Sequence, residues 1–190
     1  MQNPEQPYTL EEYWKLVETF PDHKYEYVDG FVRMMTGGTL PHSHIAMNLS
    51  RIISTALLDR ECLAFGSDAA VSLSESRVYY PDLTVTCDPA DWSRTKSIES
   101  PTIVIEVLSP GTQSRDKLEK LDAYQLYPTI QDILLIDSKR MRIGHYHRVD
   151  ASSWNYIIYT SKDDVVALEV IDLSITVADI YYRVYLTTEE

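Results

Sequence analysis

The spacing of hydrophobic positions along the chain predicts several amphipathic helices. Near the beginning, Thr9 can serve as an N-cap, and Glu12 follows three residues later, as in a capping box. Further on, Ile45, Leu49 and Ile52 recur at the spacing of a helix face that packs on a core. The predicted helices are 9–17, 44–58, 114–127 and, late in the chain, 177–185.

Short runs of apolar and β-branched residues predict strands between these helices. The dipeptide Asp29-Gly30 separates two of the runs and is a strong signal for a two-residue β-hairpin, in which Glu26 would lie opposite Arg33. The pattern as a whole predicts one α/β domain over residues 1–190, with a mixed β-sheet core flanked by helices. The predicted strands are 24–28, 31–35, 62–65, 70–73, 79–87, 101–108, 133–137, 141–148 and 154–160, and the polar segment 88–100 is predicted to be a loop.

The composition is typical of a globular protein with a hydrophobic core. The chain has 190 residues, of which 44% are hydrophobic and 24% are charged. No apolar run approaches the ~20 residues of a membrane span, and residues 1–7 have no basic or apolar stretch of an export signal. Cys62 and Cys87 form no CxxC pair. We therefore expect reduced cysteines, no disulfide and a cytoplasmic setting.

The net charge of −12 bears on the choice of partner. Proteins that grip nucleic-acid backbones usually carry an electropositive surface. Any such surface on this chain must be local, or built by association of copies. The acidity therefore lowers the expectation of general DNA affinity, and it leaves room for an enzyme that makes a narrow contact through a divalent metal.

Two acidic residues, Asp82 and Glu106, lie in apolar runs that predict buried strands. A buried carboxylate is costly unless it is paired or bound to a metal. Two of them in neighbouring predicted strands make an acidic metal site the leading hypothesis. For Asp82 alone, a turn-capping role after Pro81 is an equally good explanation.

Nucleases with two such carboxylates often place a lysine two residues after the second one, on the same face of the strand. Here that position is Leu108, so the strand supplies no cation. The next predicted helix offers Lys120, which lies ~9 Å along the helix at 1.5 Å per residue. Glu106 lies ~7 Å back along its strand at about 3.3 Å per residue. The two levels match, so a lysine from the helix can replace the missing one.

The ordered set of segments around these residues resembles the Uma2 family, which has the PD-(D/E)xK restriction-endonuclease-like fold. The resemblance covers roughly residues 8–140. It rests on Tyr25-Glu26-Tyr27-Val28-Asp29-Gly30, His44, Pro81-Asp82, Ile105-Glu106-Val107-Leu108-Ser109-Pro110-Gly111-Thr112, Ser114-Arg115-Asp116 through Lys120 and Tyr124, and 133–137.

The resemblance implies a metal held by Asp82, Glu106 and the main-chain carbonyl of Val107. It assigns the lysine role to Lys120. It also implies that Glu26 and His44 lie near the pocket, so the candidate catalytic residues are Asp82, Glu106, Lys120, Glu26 and His44. Ligands of this kind suit Mg²⁺ or Mn²⁺, hard ions that prefer oxygen.

Several of these residues have ordinary structural alternatives. Lys120 could be an exposed helix lysine paired with Asp116, and Lys117 could take the catalytic role instead. Glu26 could form a cross-strand ion pair with Arg33. His44 shares a polar helix stripe with neighbours that could face solvent. These alternatives remain open from the sequence.

The leading functional hypothesis is a metal-dependent endonuclease that hydrolyses phosphodiesters of nucleic acid. It involves no membrane, and a homodimer is the oligomer that we consider. One alternative is a nuclease-fold protein that has lost catalysis and serves as a binding or assembly module, which Leu108 and the acidic charge favour. The other is a metal hydrolase for a phosphoester that is not a nucleic acid.

Overall fold

Two β-sheets of five and six strands organise the chain. The computed structural model describes residues 7–108 and 114–186, and for 114–117 the backbone alone. The strands are β1 (Tyr25–Val28), β2 (Phe31–Met34), β3 (Leu63–Gly66), β4 (Ala70–Ser74), β5 (Arg77–Tyr79), β6 (Leu83–Thr86), β7 (Ser97–Ile98), β8 (Pro101–Leu108), β9 (Asp132–Asp137), β10 (Ile143–Arg148), β11 (Trp154–Tyr159), β12 (Val165–Leu168) and β13 (Leu173–Thr176). The helices are α1 (Leu10–Thr19), α2 (Leu40–Ala56), α3 (Pro89–Trp92), α4 (Ser114–Leu126) and α5 (Val177–Ile180), with a 3-10 turn at Glu169–Ile171.

Both larger sheets mix parallel and antiparallel pairs, as predicted for the fold class. The five-stranded sheet has the order β2-β1-β5-β4-β7, and its β4–β7 pair is parallel. The six-stranded sheet has the order β11-β10-β9-β8-β6-β3. Its parallel pair is β8–β9, which α4 connects as a βαβ crossover. Strands β12 and β13 form a separate antiparallel pair.

The central strand β8 of the six-stranded sheet is buried on both faces, which explains its nearly continuous apolar run. On one face, Ile105 packs with Leu49 of α2 in the largest hydrophobic cluster. On the other face, Val104 packs with Tyr124 of α4 in a cluster that reaches the five-stranded sheet. Because side chains alternate along a strand, Glu106 lies on the second face, with Val104.

The first helix and hairpin agree with the sequence prediction. The Thr9 side chain accepts a hydrogen bond from the Glu12 N–H, and the Glu12 carboxylate accepts from the Thr9 N–H, which completes the capping box. Strands β1 and β2 pair antiparallel with Glu26 opposite Arg33, as the two-residue turn predicts.

The single strand predicted at 79–87 is wrong. Strand β5 ends at Tyr79, and β6 begins at Leu83 in a different sheet. Pro81 lies between them and has no N–H to donate to a sheet, so the chain leaves one sheet there and enters the other. Asp82 therefore lies in the connection between the two sheets, directly before β6.

The second helix begins at Leu40, one turn earlier than the predicted start at His44. Thr39 is its N-cap, and the Thr39 side chain accepts a hydrogen bond from the His42 N–H. Pro41 lies in the first turn, where a proline is tolerated because its missing N–H has no partner in the helix. In the sequence, Gly37-Gly38 and Pro41 together favour a loop, which is why the predicted helix begins only at His44.

Two further regions differ from the prediction. The segment 88–100 contains α3 and β7, held around the buried carboxylate of Asp91, which accepts hydrogen bonds from Thr86, Arg94 and the N–H groups of Glu99 and Ser100. The predicted closing helix at 177–185 is the single turn α5, and the β12–β13 pair before it was not predicted.

The expectation that both cysteines are reduced is also wrong, because Cys62 and Cys87 form a disulfide. Strands β3 and β6 pair antiparallel with Leu63 opposite Thr86. Continuing that register by one position brings Cys62 opposite Cys87, with their Cα atoms 4.1 Å apart. Among the residues described, no helix is both long and apolar enough to cross a membrane.

Candidate active site

A cleft of about 760 Å³ opens where the two sheets meet the first turn of α2 and the middle of α4. Its wall includes four of the five residues that sequence reasoning proposed as catalytic, and the carboxylates among them are largely buried. Leu108, which occupies the position where many nucleases have a lysine, lines the same cleft. The lining residues of the catalytic set are Glu26, Asp82, Glu106 and Lys120.

Asp82 and Glu106 come together because of the pairing of their strands. The β6–β8 register puts Leu83 opposite Ile105, and one further step brings Asp82 opposite Glu106. The Asp82 Oδ2 atom accepts a hydrogen bond from the Val107 N–H at 2.7 Å. The main chain of β8 thus fixes the carboxylate of Asp82 beside Glu106.

Glu106 is held by two groups from α4. Its Oε1 atom accepts hydrogen bonds from the Tyr124 hydroxyl at 2.7 Å and from the Lys120 ammonium at 3.2 Å. Burial raises the pKa of Glu106, and the negative charges of Asp82 and Glu26 raise it further, against the opposing effect of Lys120. A divalent cation at this carboxylate would offset the same desolvation.

The ammonium of Lys120 bridges two carboxylates in the cleft. Its Nζ atom lies 2.7 Å from the Glu26 Oε1 atom and 3.2 Å from the Glu106 Oε1 atom. Burial alone would lower the pKa of Lys120, but the charges of Glu106 and Glu26 outweigh it and raise that pKa. Lys120 is therefore a charged, positioned cation at neutral pH, and the alternative of an exposed helix lysine does not apply.

Glu26 belongs to this cluster although it lies opposite Arg33 in the hairpin. Its Oε1 atom accepts a hydrogen bond from the Tyr80 N–H at 3.2 Å in addition to the contact with Lys120. Arg33 instead bonds Glu119 of α4 at 3.3 Å. The expected cross-strand register is present, but the ion partner of Glu26 is Lys120.

The structure does not place His44 in the cleft. Its side chain is exposed, whereas His42, two residues earlier, lines the cleft. The His42 Nε2 atom lies 3.2 Å from the Asp82 Oδ1 atom. The earlier start of α2 explains the difference, since it turns His42 toward Asp82. His42 was not among the predicted site residues because Pro41 favoured a loop, so the predicted helix began only after it.

His42 contacts two of the three groups proposed as metal ligands. Its hydrogen bond to Asp82 raises the pKa of His42, burial lowers it, and the charges of Asp82 and Glu106 and a hydrogen bond to the Val107 carbonyl raise it again, so that the net shift is upward. Asp82, Glu106 and the Val107 carbonyl thus form an environment that favours a cation.

These donors fit Mg²⁺ or Mn²⁺ chemically, because two carboxylates and a main-chain carbonyl offer only oxygen ligands. The side chains of Asp116 and Lys117, the proposed partner and substitute of Lys120, lie outside the described residues.

Comparisons with known proteins agree with this architecture. The model of the Uma2 family, described as "Putative restriction endonuclease", matches residues 10–178. Two proteins of Synechocystis sp. (strain PCC 6803) are similar over most of their length. Uncharacterized protein slr1290 is 37% identical over 84% of this chain and 84% of its own. Uncharacterized protein sll1609 is 31% identical over 69% of this chain and 76% of its own.

A solved structure shows the same fold. The crystal structure of "a putative nuclease belonging to DUF820" from Anabaena variabilis ATCC 29413 superposes with a TM-score of 0.76 at 22% identity, covering 92% of this chain and 98% of that one. With a family match over most of the chain and relatives above 30% identity, the chain belongs to the Uma2 family.

Proposed function

We propose that this protein is a metal-dependent nuclease that hydrolyses phosphodiester bonds of nucleic acid. The observation that supports it best is the contact of the Lys120 ammonium with both Glu106 and Glu26, since it supplies from α4 the cation that Leu108 cannot supply from β8. Membership of a family described as "Putative restriction endonuclease" favours a nucleic-acid substrate.

In this proposal, Asp82, Glu106 and the Val107 carbonyl would hold Mg²⁺ or Mn²⁺. The bound ion would supply Lewis-acid activation of the scissile phosphate and of the attacking water. Hydrolysis adds the water oxygen to phosphorus and breaks the bond to one sugar oxygen, which leaves with a proton.

The protein groups hold and orient the reactants. Lys120 stabilises the negative charge that develops on the phosphate, or positions the water, from a site fixed by two carboxylates. Tyr124 holds Glu106 through its 2.7 Å hydrogen bond. The N-terminal end of α2 meets the cleft at Thr39 and His42, and the positive end of its helix dipole favours a phosphate there.

The inactive binding module remains the second candidate, and one observation favours it. Lys120 already makes ion pairs with Glu26 and Glu106, and such a cluster can serve folding alone. In that case the cleft would bind a divalent ion without cleaving anything.

A cleavage assay separates the two candidates. The purified chain is incubated with single- and double-stranded DNA and RNA, with Mg²⁺, Mn²⁺ or a chelator. We expect metal-dependent cleavage that Asp82→Asn and Glu106→Gln abolish. Lys120→Ala should lower the rate by ~100-fold or more, as loss of one transition-state donor does elsewhere. Lys162→Ala, an exposed lysine, is the control. Metal binding by the wild type without cleavage of any substrate would favour the binding module.

We further propose that the chain forms a homodimer through β11, the edge strand of the six-stranded sheet. Tyr156, Ile157 and Ile158 of β11 are exposed apolar residues, and an open strand edge pairs readily with a second strand. Sedimentation equilibrium tests it, because Ile157→Lys should shift a dimer to the monomer.

A further inference from the structure

A second group of metal-competent side chains lies away from the cleft. Asp132 begins β9, and His145 and His147 lie on β10, with His147 directly opposite Asp132 in the antiparallel register. Side chains two apart on a strand share a face, so both imidazoles point to the side on which Asp132 lies. Within the described residues, these three form the one His, Cys, Asp and Glu group whose ligand atoms all lie within 4.8 Å of one another.

This group is separate from the candidate active site. Asp132 shares its face of β9 with Leu134 and Ile136, which pack in the cluster against α2. Glu106 lies on the opposite face of the sheet, where it contacts α4. The sheet therefore stands between the two groups, and they cannot share one ion.

The carboxylate of Asp132 is fully buried, and its neighbours satisfy only part of it. The Oδ1 atom lies 2.7 Å from the His145 Nε2 atom and 2.8 Å from the His147 Nδ1 atom. The Oδ2 atom is buried and has no hydrogen-bond partner among the residues that the structure describes. A buried carboxylate oxygen without a partner is costly, and a cation is the partner that offsets that cost best.

The chemistry of the donors selects the kind of ion. Two imidazole nitrogens with one carboxylate suit zinc and related transition metals, whereas Mg²⁺ prefers oxygen ligands alone. His147 is partly exposed, with 32% of its side chain accessible, so an ion can enter and solvent can fill its remaining positions. Three protein ligands with an open position are usual for zinc sites that are not purely structural.

We propose that Asp132, His145 and His147 bind a divalent transition-metal ion of the Zn²⁺ class, in a site independent of the nuclease cleft. Ligands about 2.0–2.1 Å from a tetrahedral ion lie roughly 3.3 Å apart. The two nitrogens lie 2.7 and 2.8 Å from the Asp132 Oδ1 atom, so each must move about half an ångström from that oxygen to admit the ion. The ion takes the place of the two protons that now bridge the carboxylate and the imidazoles, and each proton passes to the other nitrogen of its ring or to solvent.

The test is metal binding by the tag-free chain after treatment with a chelator, followed by titration with Co²⁺ and Zn²⁺. Co²⁺ reports nitrogen ligation through its visible absorption, and calorimetry gives the affinity for Zn²⁺. We expect one ion to bind with this signature in the Glu106→Gln protein, which lacks the other site, and excess Mg²⁺ should not displace it.

The variants identify the ligands. His147→Gln keeps a donor toward Asp132 but removes the nitrogen ligand, and it should weaken binding by more than about tenfold, since even loss of an outer partner costs ~10–100-fold. His145→Gln should do the same, and if it fails to fold, His147→Gln decides. His44→Gln, at an exposed histidine, should leave binding unchanged.

The proposal is overturned if the Glu106→Gln protein takes up no Co²⁺ or Zn²⁺, or if His147→Gln binds as the parent does. Either result leaves the group as a hydrogen-bonded buried aspartate. Because all of these experiments measure metal binding and not cleavage, their outcome does not depend on whether the proposed nuclease activity exists.

Discussion

The Nζ atom of Lys120 lies 3.2 Å from the Glu106 Oε1 atom, although the two residues come from different elements and not from one strand. The rise per residue of a strand and of a helix had already predicted that Glu106 and Lys120 lie at similar distances from the connection between β8 and α4. The same ammonium lies closer still to Glu26, at 2.7 Å. A single lysine on α4 thus ties both sheets together at the cleft.

Removal of Lys120 should destabilise the fold as well as stop catalysis. Lys120→Met leaves Glu26 and Glu106 buried without their cation, which costs about 3 kcal/mol. Urea denaturation measures the loss of unfolding free energy, and Lys162→Met serves as the exposed control.

The pair can be tested with a second variant. Glu26→Gln removes one of the two carboxylate charges that Lys120→Met leaves without a cation. The double variant Lys120→Met/Glu26→Gln should therefore lose less stability than the summed losses of the two single variants. Strict additivity of the single effects would contradict the ion pair as a source of stability.

Gly38 gives a way to displace His42 without changing it. A Cβ atom added at Gly38 would lie 2.5 Å from the His42 Nδ1 atom, so the imidazole must move away from Asp82. We expect Gly38→Ala to lower cleavage by roughly tenfold or more, because small displacements of site groups are expensive.

The neighbouring glycine is the control for this prediction. A Cβ atom added at Gly37 meets no atom of the described part of the chain within 4 Å. Gly37→Ala should therefore leave cleavage rates and metal affinity unchanged. Equal losses in the two variants would point to the loop backbone and not to His42.

Local patterns predicted much of this structure. The capping box at Thr9, the hairpin at Asp29-Gly30 and the apolar run around Glu106 each depend on residues close in sequence, and each was predicted. The positions of Lys120 along its helix and of Glu106 along its strand could also be compared from the sequence, because the two elements follow one another closely in the chain.

The remaining features depend on pairing between distant segments. The disulfide follows from the register of β3 against β6, and the Asp132 group follows from the register of β9 against β10. Spacing along the chain carries no signal for either. His42 was missed for a different reason, since the proline beside it is compatible with both a loop and a helix start.

Asp91 should be the main determinant of stability in segment 88–100. Its side chain is fully buried and accepts four hydrogen bonds, two of them from main-chain N–H groups. Asp91→Ala removes the acceptor of the Glu99 and Ser100 N–H groups, and we expect a loss of about 3 kcal/mol. Urea denaturation measures it.

Asp91 does not line the candidate active-site cleft, so the Asp91→Ala protein should retain its cleavage activity at temperatures where it is folded. Asp163→Ala, at an exposed acidic residue, is the control and should change stability little. A neutral effect of Asp91→Ala would mean that the segment rearranges to satisfy its own N–H groups.

The disulfide should stabilise the edge of the six-stranded sheet. Cys62 and Cys87 are 25 residues apart, and closing a loop of that length removes enough entropy from the unfolded chain to contribute about 3.5 kcal/mol. Cys62→Ser/Cys87→Ser should therefore unfold at a lower urea concentration than the oxidised wild type. Reduction of the wild type should bring it to the same midpoint, and reduction of the variant should change nothing. Among the strands that the structure describes, β3 has only β6 as a neighbour in its sheet, so the loss should appear first as faster amide exchange in β3. Equal midpoints for the oxidised and reduced wild type would show that the pairing of β3 with β6 holds this edge without the covalent link.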